Sequence, residues 1–186
     1  MPGPSRSGFR AKRATAEAPA AHAMTEIGHR IARVEIDNPS VVRYHPDVER
    51  EIQVAIYDLI ESNDFVPEPA HFGDVPAGPY ALTLRVRRRQ LLFEVAVETG
   101  ADVGSLALPM TPFRKIIKDY FTVCESYYDA IRSASPARIE ALDMGRRVLH
   151  NEGSECLRDM LAERIAVNHD TSRRLFTLIC ALHIRA

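Results

Sequence analysis

Apolar and polar positions along this chain sort into a few alternating runs followed by long helical ones. The clearest is Thr111–Ile131, TPFRKIIKDYFTVCESYYDAI. Its Phe113, Ile116, Ile117, Tyr120, Phe121, Val123, Cys124, Tyr127, Tyr128 and Ile131 recur at three- and four-residue steps. They fill about 160° of a helical wheel, wider than the ~100° stripe of an ordinary surface helix. Arg114, Lys115, Lys118, Asp119, Glu125 and Asp129 hold the other side. Thr111 reads as the N-cap and Pro112 as the first helical residue. So wide an apolar arc predicts a helix enclosed by its neighbours, at the centre of a bundle.

The same periodicity predicts a helix over HPDVEREIQVAIYDLIESN, with Pro46 in its first turn and Ile52, Ala55, Ile56, Leu59 and Ile60 on one stripe. Ser135-Pro136 opens another, running through Ile139, Leu142 and Leu149. Arg146, Arg147, His150, Asn151 and Gly153 have the composition of a helix end with Ser154 as a fresh cap; one helix kinked at Gly153 is the competing reading. His169-Asp170-Thr171 starts a last helix that buries Leu175, Phe176, Leu178, Ile179 and Leu182. Strands are predicted near 29–36, 80–87, 90–98 and 105–108, the second and third joined at Arg88-Arg89, with a turn over Thr99–Gly104. Residues 63–79 hold four prolines and no periodicity, and read as a loop, either a spacer or a lid. The class is α+β: a small antiparallel sheet from the N-terminal half, packed against a C-terminal helical bundle around one central buried helix. Strands first and helices later argue against a doubly wound parallel sheet.

Composition adds limits. A length of 186 residues suits one domain, placed at 25–186. Residues 1–24, rich in Pro, Ala, Ser and Arg, are read as a disordered extension, and a start assigned too far upstream of Met24 would produce them. Net charge is −1 overall, but residues 1–23 carry +3, so the body is acidic and nucleic-acid binding is disfavoured. No run reaches the ~18 apolar residues of a membrane span. Cys124, Cys156 and Cys180 are odd in number, far apart and set in apolar helical patterns, which makes them reduced core thiols of a cytoplasmic protein.

Chemistry is sparse. There is no phosphate-binding glycine loop, nucleophile elbow, paired metal histidines or dinucleotide fingerprint, so neither metal nor cofactor is expected. One polar concentration remains, Asp143, Arg146, Arg147, His150, Asn151, Glu152 and Glu155. Arg146 falls inside an apolar arc and needs an acidic partner, from Asp143 or from another helix. The functional reading makes His150 a general base held by Glu152 or Glu155, with Arg146 and Arg147 gripping an anion. The plainer reading is a helix junction whose cations cap carbonyls. Arg114 and Lys115, beside free N–H groups at a helix N-terminus, could add a second anion site, or simply be solvated. Arg85–Arg89 suggests an anion or RNA contact, or an edge guarded against pairing. The first functional expectation is a small interaction or regulatory protein with a protein partner; the alternative is a small enzyme or anion-binding protein using the 143–155 junction. Oligomeric state is left open.

GPYALTL (78–84), PFRKIIKDYF (112–121), CESYYDAIR (124–132), ALDMGRR (141–147), LHNEGSE (149–155) and RRLFTLICALH (173–183) together resemble an uncharacterised protein family of alphaproteobacteria, family 0262. The similarity runs from about residue 29 to the end. It implies a bacterial cytoplasmic protein and carries no assigned activity, so it transfers no catalytic residue. The first 23 residues and the Arg85–Arg89 tip stand outside the pattern.

Overall fold

The computed structural model describes residues 28–37 and 46–183, so the expectations for the N-terminal extension lie outside the described residues. In chain order the elements are β1 (Ile31–Asp37), α1 (Pro46–Glu61), β2 (Phe65–Pro67), α2 (Pro69–Phe72), β3 (Tyr80–Arg87), β4 (Gln90–Val97), β5 (Asp102–Pro109), α3 (Thr111–Ser133), α4 (Pro136–Leu161), β6 (Ile165–Val167) and α5 (His169–His183). The class is α+β, as the pattern predicts.

The four-stranded sheet has the order β1-β3-β4-β5 and is mixed, not purely antiparallel. β3, β4 and β5 form an antiparallel meander, whereas β1 lies parallel to β3. The cause is the connection. A crossover that includes α1 returns the chain in its original direction, as a hairpin cannot. Leu82, Leu84, Leu91, Phe93, Val95, Leu106 and Leu108 form the buried face against the helices. The opposite face is charged: Arg85 pairs with Asp37 (3.3 Å) and Glu94 (3.0 Å). The β3–β4 turn falls at Arg88-Arg89, and both residues adopt positive φ (50° and 65°), the twist-matched two-residue geometry that usually selects Asn-Gly. β5 starts at Asp102, earlier than Ser105, because a register shift at Val95/Ala96 passes over Val103: Val95 pairs with Gly104 and Ala96 with Asp102. Gly104 has φ 143° and no side chain to obstruct Phe72 of α2.

The predicted loop over 63–79 is anchored. β2 pairs antiparallel with β6, Phe65 is fully buried, and neither short strand shows a periodicity that three residues could reveal. Asn63 joins α1 to β1: its amide oxygen accepts the Ile31 N–H (2.7 Å) while its Nδ2 donates to the carbonyls of Ile31 (2.9 Å) and Leu59 (2.6 Å).

Two helical expectations change. Gly153 does not end a helix; α4 runs unbroken from Pro136 to Leu161. Gly153 sits in its middle because a Cβ there would overlap the Phe176 ring of α5. And the most enclosed helix is α5, whose Thr171, Ser172, Leu175, Phe176, Leu178, Ile179, Cys180, Ala181 and Leu182 are all buried. It lies among α1, α4 and β3. α3 is buried at Phe113, Ile117, Tyr120 and Cys124, but Tyr127 and Tyr128 are half-exposed and Ile131 is 53% exposed. Its wide arc spends its last turns on the hairpin with α4, beyond the reach of the sheet. α5 is capped by Asn168, whose side chain accepts the Thr171 N–H (2.7 Å), one residue before the predicted start.

Gly153→Ala is expected to destabilise the domain by about 1–3 kcal/mol or more through overpacking, and pairing it with Phe176→Leu should recover part of the loss in urea unfolding; a parental midpoint for the single variant would contradict the close approach. Conversely, Arg88→Asn with Arg89→Gly should raise stability by ~1 kcal/mol, since Asn and Gly tolerate positive φ, measured by the same melts.

Candidate functional site

Three helices wall a cleft of about 640 Å³, the size of a small-molecule site. α4 and α5 run antiparallel along it. The register is fixed by His150 against Thr177 (2.9 Å) and by the Ser172 hydroxyl donating to the Ser154 carbonyl (2.5 Å), with Gly153 bringing the backbones together. α1 forms the other wall through Arg50, Glu51, Val54 and Asp58, spaced so that one side of the helix borders the apolar stripe of Ile52, Ala55 and Leu59. Tyr120 of α3 closes the floor.

The charge of the cleft runs opposite to that of the body. Arg50, Arg146, Arg147, Arg173 and Arg174 stand against Glu51, Asp58 and Asp170, a balance of +2. These cations differ in what they already touch. Arg146 is the most committed: its guanidinium reaches Glu51 (3.2 Å) and Asp143 (3.0 Å) and lies 5.4 Å from the Tyr127 ring centre. Tyr128 donates to the same Glu51 oxygen (3.2 Å). Burial alone would lower the Arg146 pKa, but Asp143, Tyr120 and Glu51 outweigh it and hold the group charged. Both acidic partners anticipated for Arg146 are therefore present at once. Arg147 shares Asp143 (2.8 Å) and is otherwise exposed at the rim. Arg174 donates to the Ser62 carbonyl (2.6 Å), tying α5 to the end of α1. Arg173 is half-buried, and among the described residues no carboxylate lies within ion-pairing distance of it.

His150 sits between the two arginine groups, with Tyr120 and Phe176 rings 5.6 and 5.3 Å away. Its pKa is pushed down to about 4, first by burial and then by Arg173, Arg146 and His169. At neutral pH it is therefore an uncharged imidazole. Its Nδ1 is buried without a hydrogen-bond partner among the described residues.

The residues singled out from the sequence divide cleanly. Arg146, Arg147 and His150 converge on the cleft. Glu155 does not: it is exposed on α4 outside the lining, as is Glu152. The expected carboxylate support for His150 is absent among the described residues, and its ring partner is the hydroxyl of Thr177. A helical step of five residues turns Glu155 well over 100° away from His150. Arg114 and Lys115 are exposed on the first turn of α3, apart from the cleft, and Lys115 is paired with Asp119 at 2.7 Å. The α1 and α5 contributions were not singled out. Arg50–Val54–Asp58 and Arg173–Thr177 do carry a signal, four-residue steps along the polar border of each stripe, but nothing local says that these borders face each other.

A family model described as an uncharacterised protein family, UPF0262, matches residues 28–185. Relatives include a UPF0262 protein of Sphingopyxis alaskensis, 53% identical over 156 residues that cover 84% of this chain and 94% of the relative. A UPF0262 protein of Rhizobium etli is also 53% identical, covering 84% and 96% of the two chains. One from Paracoccus denitrificans is 45% identical, covering 86% and 98%. No solved structure matches the chain.

The depressed His150 pKa sets a pH dependence. The unfolded chain takes up this proton near 6.5 and the folded one near 4, so the contribution to stability is complete above 6.5 and is lost as pH falls from 6.5 through about 4. An NMR titration should place the His150 midpoint near 4, and His150→Gln should flatten the loss of urea stability between pH 7 and 5. A midpoint at or above 6.5 would refute the buried, cation-flanked ring.

Proposed function

The chain belongs to the uncharacterised protein family UPF0262, and we propose that its α1–α4–α5 cleft binds a small organic anion, making it a ligand-responsive regulatory protein of the cytoplasm rather than an enzyme. The carrying observation is Arg173, half-buried in a concave site with no carboxylate within ion-pairing distance among the described residues. A guanidinium in a concave site that no internal carboxylate holds is free to make a charged hydrogen bond to an incoming anion. A ligand carboxylate or phosphate supplies that counter-charge, and Arg50 and Arg147 at the rim extend the positive field to the entrance.

The neutral His150 supports binding over catalysis. A base whose conjugate acid has a pKa near 4 is poorly matched to proton abstraction at neutral pH, and no carboxylate among the described residues orients the ring. It offers hydrogen-bonding capacity instead. The sheet arginines support a small ligand over a nucleic acid, because Arg85 is already held by Asp37 and Glu94. No described helix is long and apolar enough to cross a membrane.

Isothermal titration with citrate and with inorganic phosphate tests this reading. Binding should weaken with added salt, and Arg173→Gln should reduce affinity about ten- to a hundredfold, the worth of one charged hydrogen bond, with an unchanged circular dichroism spectrum. No heat with either anion at low salt, or full affinity in the Arg173 variant, would overturn it.

A further inference from the structure

The charges around the cleft are not mixed at random along its length, and their order specifies a ligand. His150 and Thr177 meet at mid-height on antiparallel helices. Arg147 lies three residues before His150 on α4, and Arg173 lies four before Thr177 on α5, toward the opposite end. At about 1.5 Å per residue the two levels are ~10 Å apart. α1 follows the same register: Glu51 meets Arg146 at the first level, and Arg174 reaches Ser62, one turn beyond Asp58, at the second.

The first level is cationic. Arg146 is absorbed by Glu51 and Asp143, which leaves Arg50 and the outer edge of Arg147 facing the opening. The second level is balanced but not internally paired. Arg173 and Arg174 stand with Asp58 and Asp170 around the same space, and no ion pair joins these arginines to these acids. Such an arrangement suits a head that carries both charges, a carboxylate for the arginines and an ammonium for the acids. Between the two levels the walls are uncharged: Val54, Tyr120, neutral His150 and Thr177.

We infer that the ligand is an elongated, amino-acid-like molecule, with a zwitterionic α-amino acid head held by Arg173, Arg174, Asp58 and Asp170 and a second acidic group at its far end held by Arg50 and Arg147. This rests on the reading of the cleft as an anion site and narrows it to one chemical class. A simple dianion would leave Asp58 and Asp170 facing like charge, and a plain amino acid would leave the rim arginines empty.

Three matched probes separate these cases by titration calorimetry: 2-aminosuberate, which carries head and distal acid; suberate, which lacks the amino group; and 2-aminooctanoate, which lacks the distal carboxylate. 2-Aminosuberate should bind about tenfold or more tightly than either of the others. Asp170→Asn should abolish its advantage over suberate without weakening suberate, and Arg147→Gln should abolish its advantage over 2-aminooctanoate. Asp170 and Arg147 are exposed, so neither change threatens the fold. Equal affinities for 2-aminosuberate and suberate would overturn the zwitterionic head while leaving an anion site standing. Binding of citrate or phosphate with none of the three probes would overturn the inference alone. Failure of every anion, citrate and phosphate included, would remove the site and the inference together.

Discussion

The close approach of α4 to α5 is the constraint on which the rest depends. It exists because residue 153 has no side chain, so that the Phe176 ring rests directly on the α4 backbone. Glycine costs a helix interior roughly 0.5–1 kcal/mol relative to alanine. α4 carries that cost for the packing of a fully buried aromatic. The contact also sets the register, bringing His150 level with Thr177 and Ser154 level with Ser172. Widening the gap by one methyl group would separate both pairs. The cleft wall and the buried core of α5 are thus two consequences of one missing atom.

A second constraint holds the third wall. Arg146 links α4 to α1 through Glu51, while Tyr128 of α3 donates to the same carboxylate. A partly buried ion pair contributes little net stability against hydrophobic packing, but removing one partner strands the other. Its value here is geometric. It fixes the height of α1 against the α4–α5 pair and, by neutralising itself, leaves Arg50, Arg147, Arg173 and Arg174 as the cations able to meet a ligand.

Long periodic segments were legible in the chain because they carry their own signal. α1, α3, α5 and the β3–β4 hairpin follow directly from apolar spacing and from proline at helix starts. What was not legible depends on neighbours. Gly153 has the local chemistry of a helix end, and only the Phe176 ring against it makes the mid-helix reading the right one. β2 and β6 are three residues each and exist through one another. The width of the α3 arc pointed to the central helix, yet α5, shorter and less patterned, is the one enclosed, because enclosure depends on how many elements converge. At the site, Arg146, Arg147 and His150 were visible because they share one helix face. Arg50 and Arg173 needed two further helices to be brought beside them, and Glu155 looked close only in sequence.

The state of His150 ties these observations into one account. Burial first, and then Arg173 and Arg146, make protonation of this imidazole unfavourable, and Arg173 is also a cation that an anion would seek. A catalytic histidine in such a field would need a carboxylate to restore its basicity, and Thr177 offers a hydroxyl instead. On the proposed reading the field therefore favours holding negative charge over proton transfer. An anion entering the cleft would meet Arg173, which has no ion-pair partner among the described residues. The helices that carry these groups are the ones whose packing Gly153 and Glu51 fix, so a ligand bound as proposed would rest against the α1–α4–α5 arrangement itself. On the proposed reading, that placement is the physical basis by which a ligand would be sensed without being transformed.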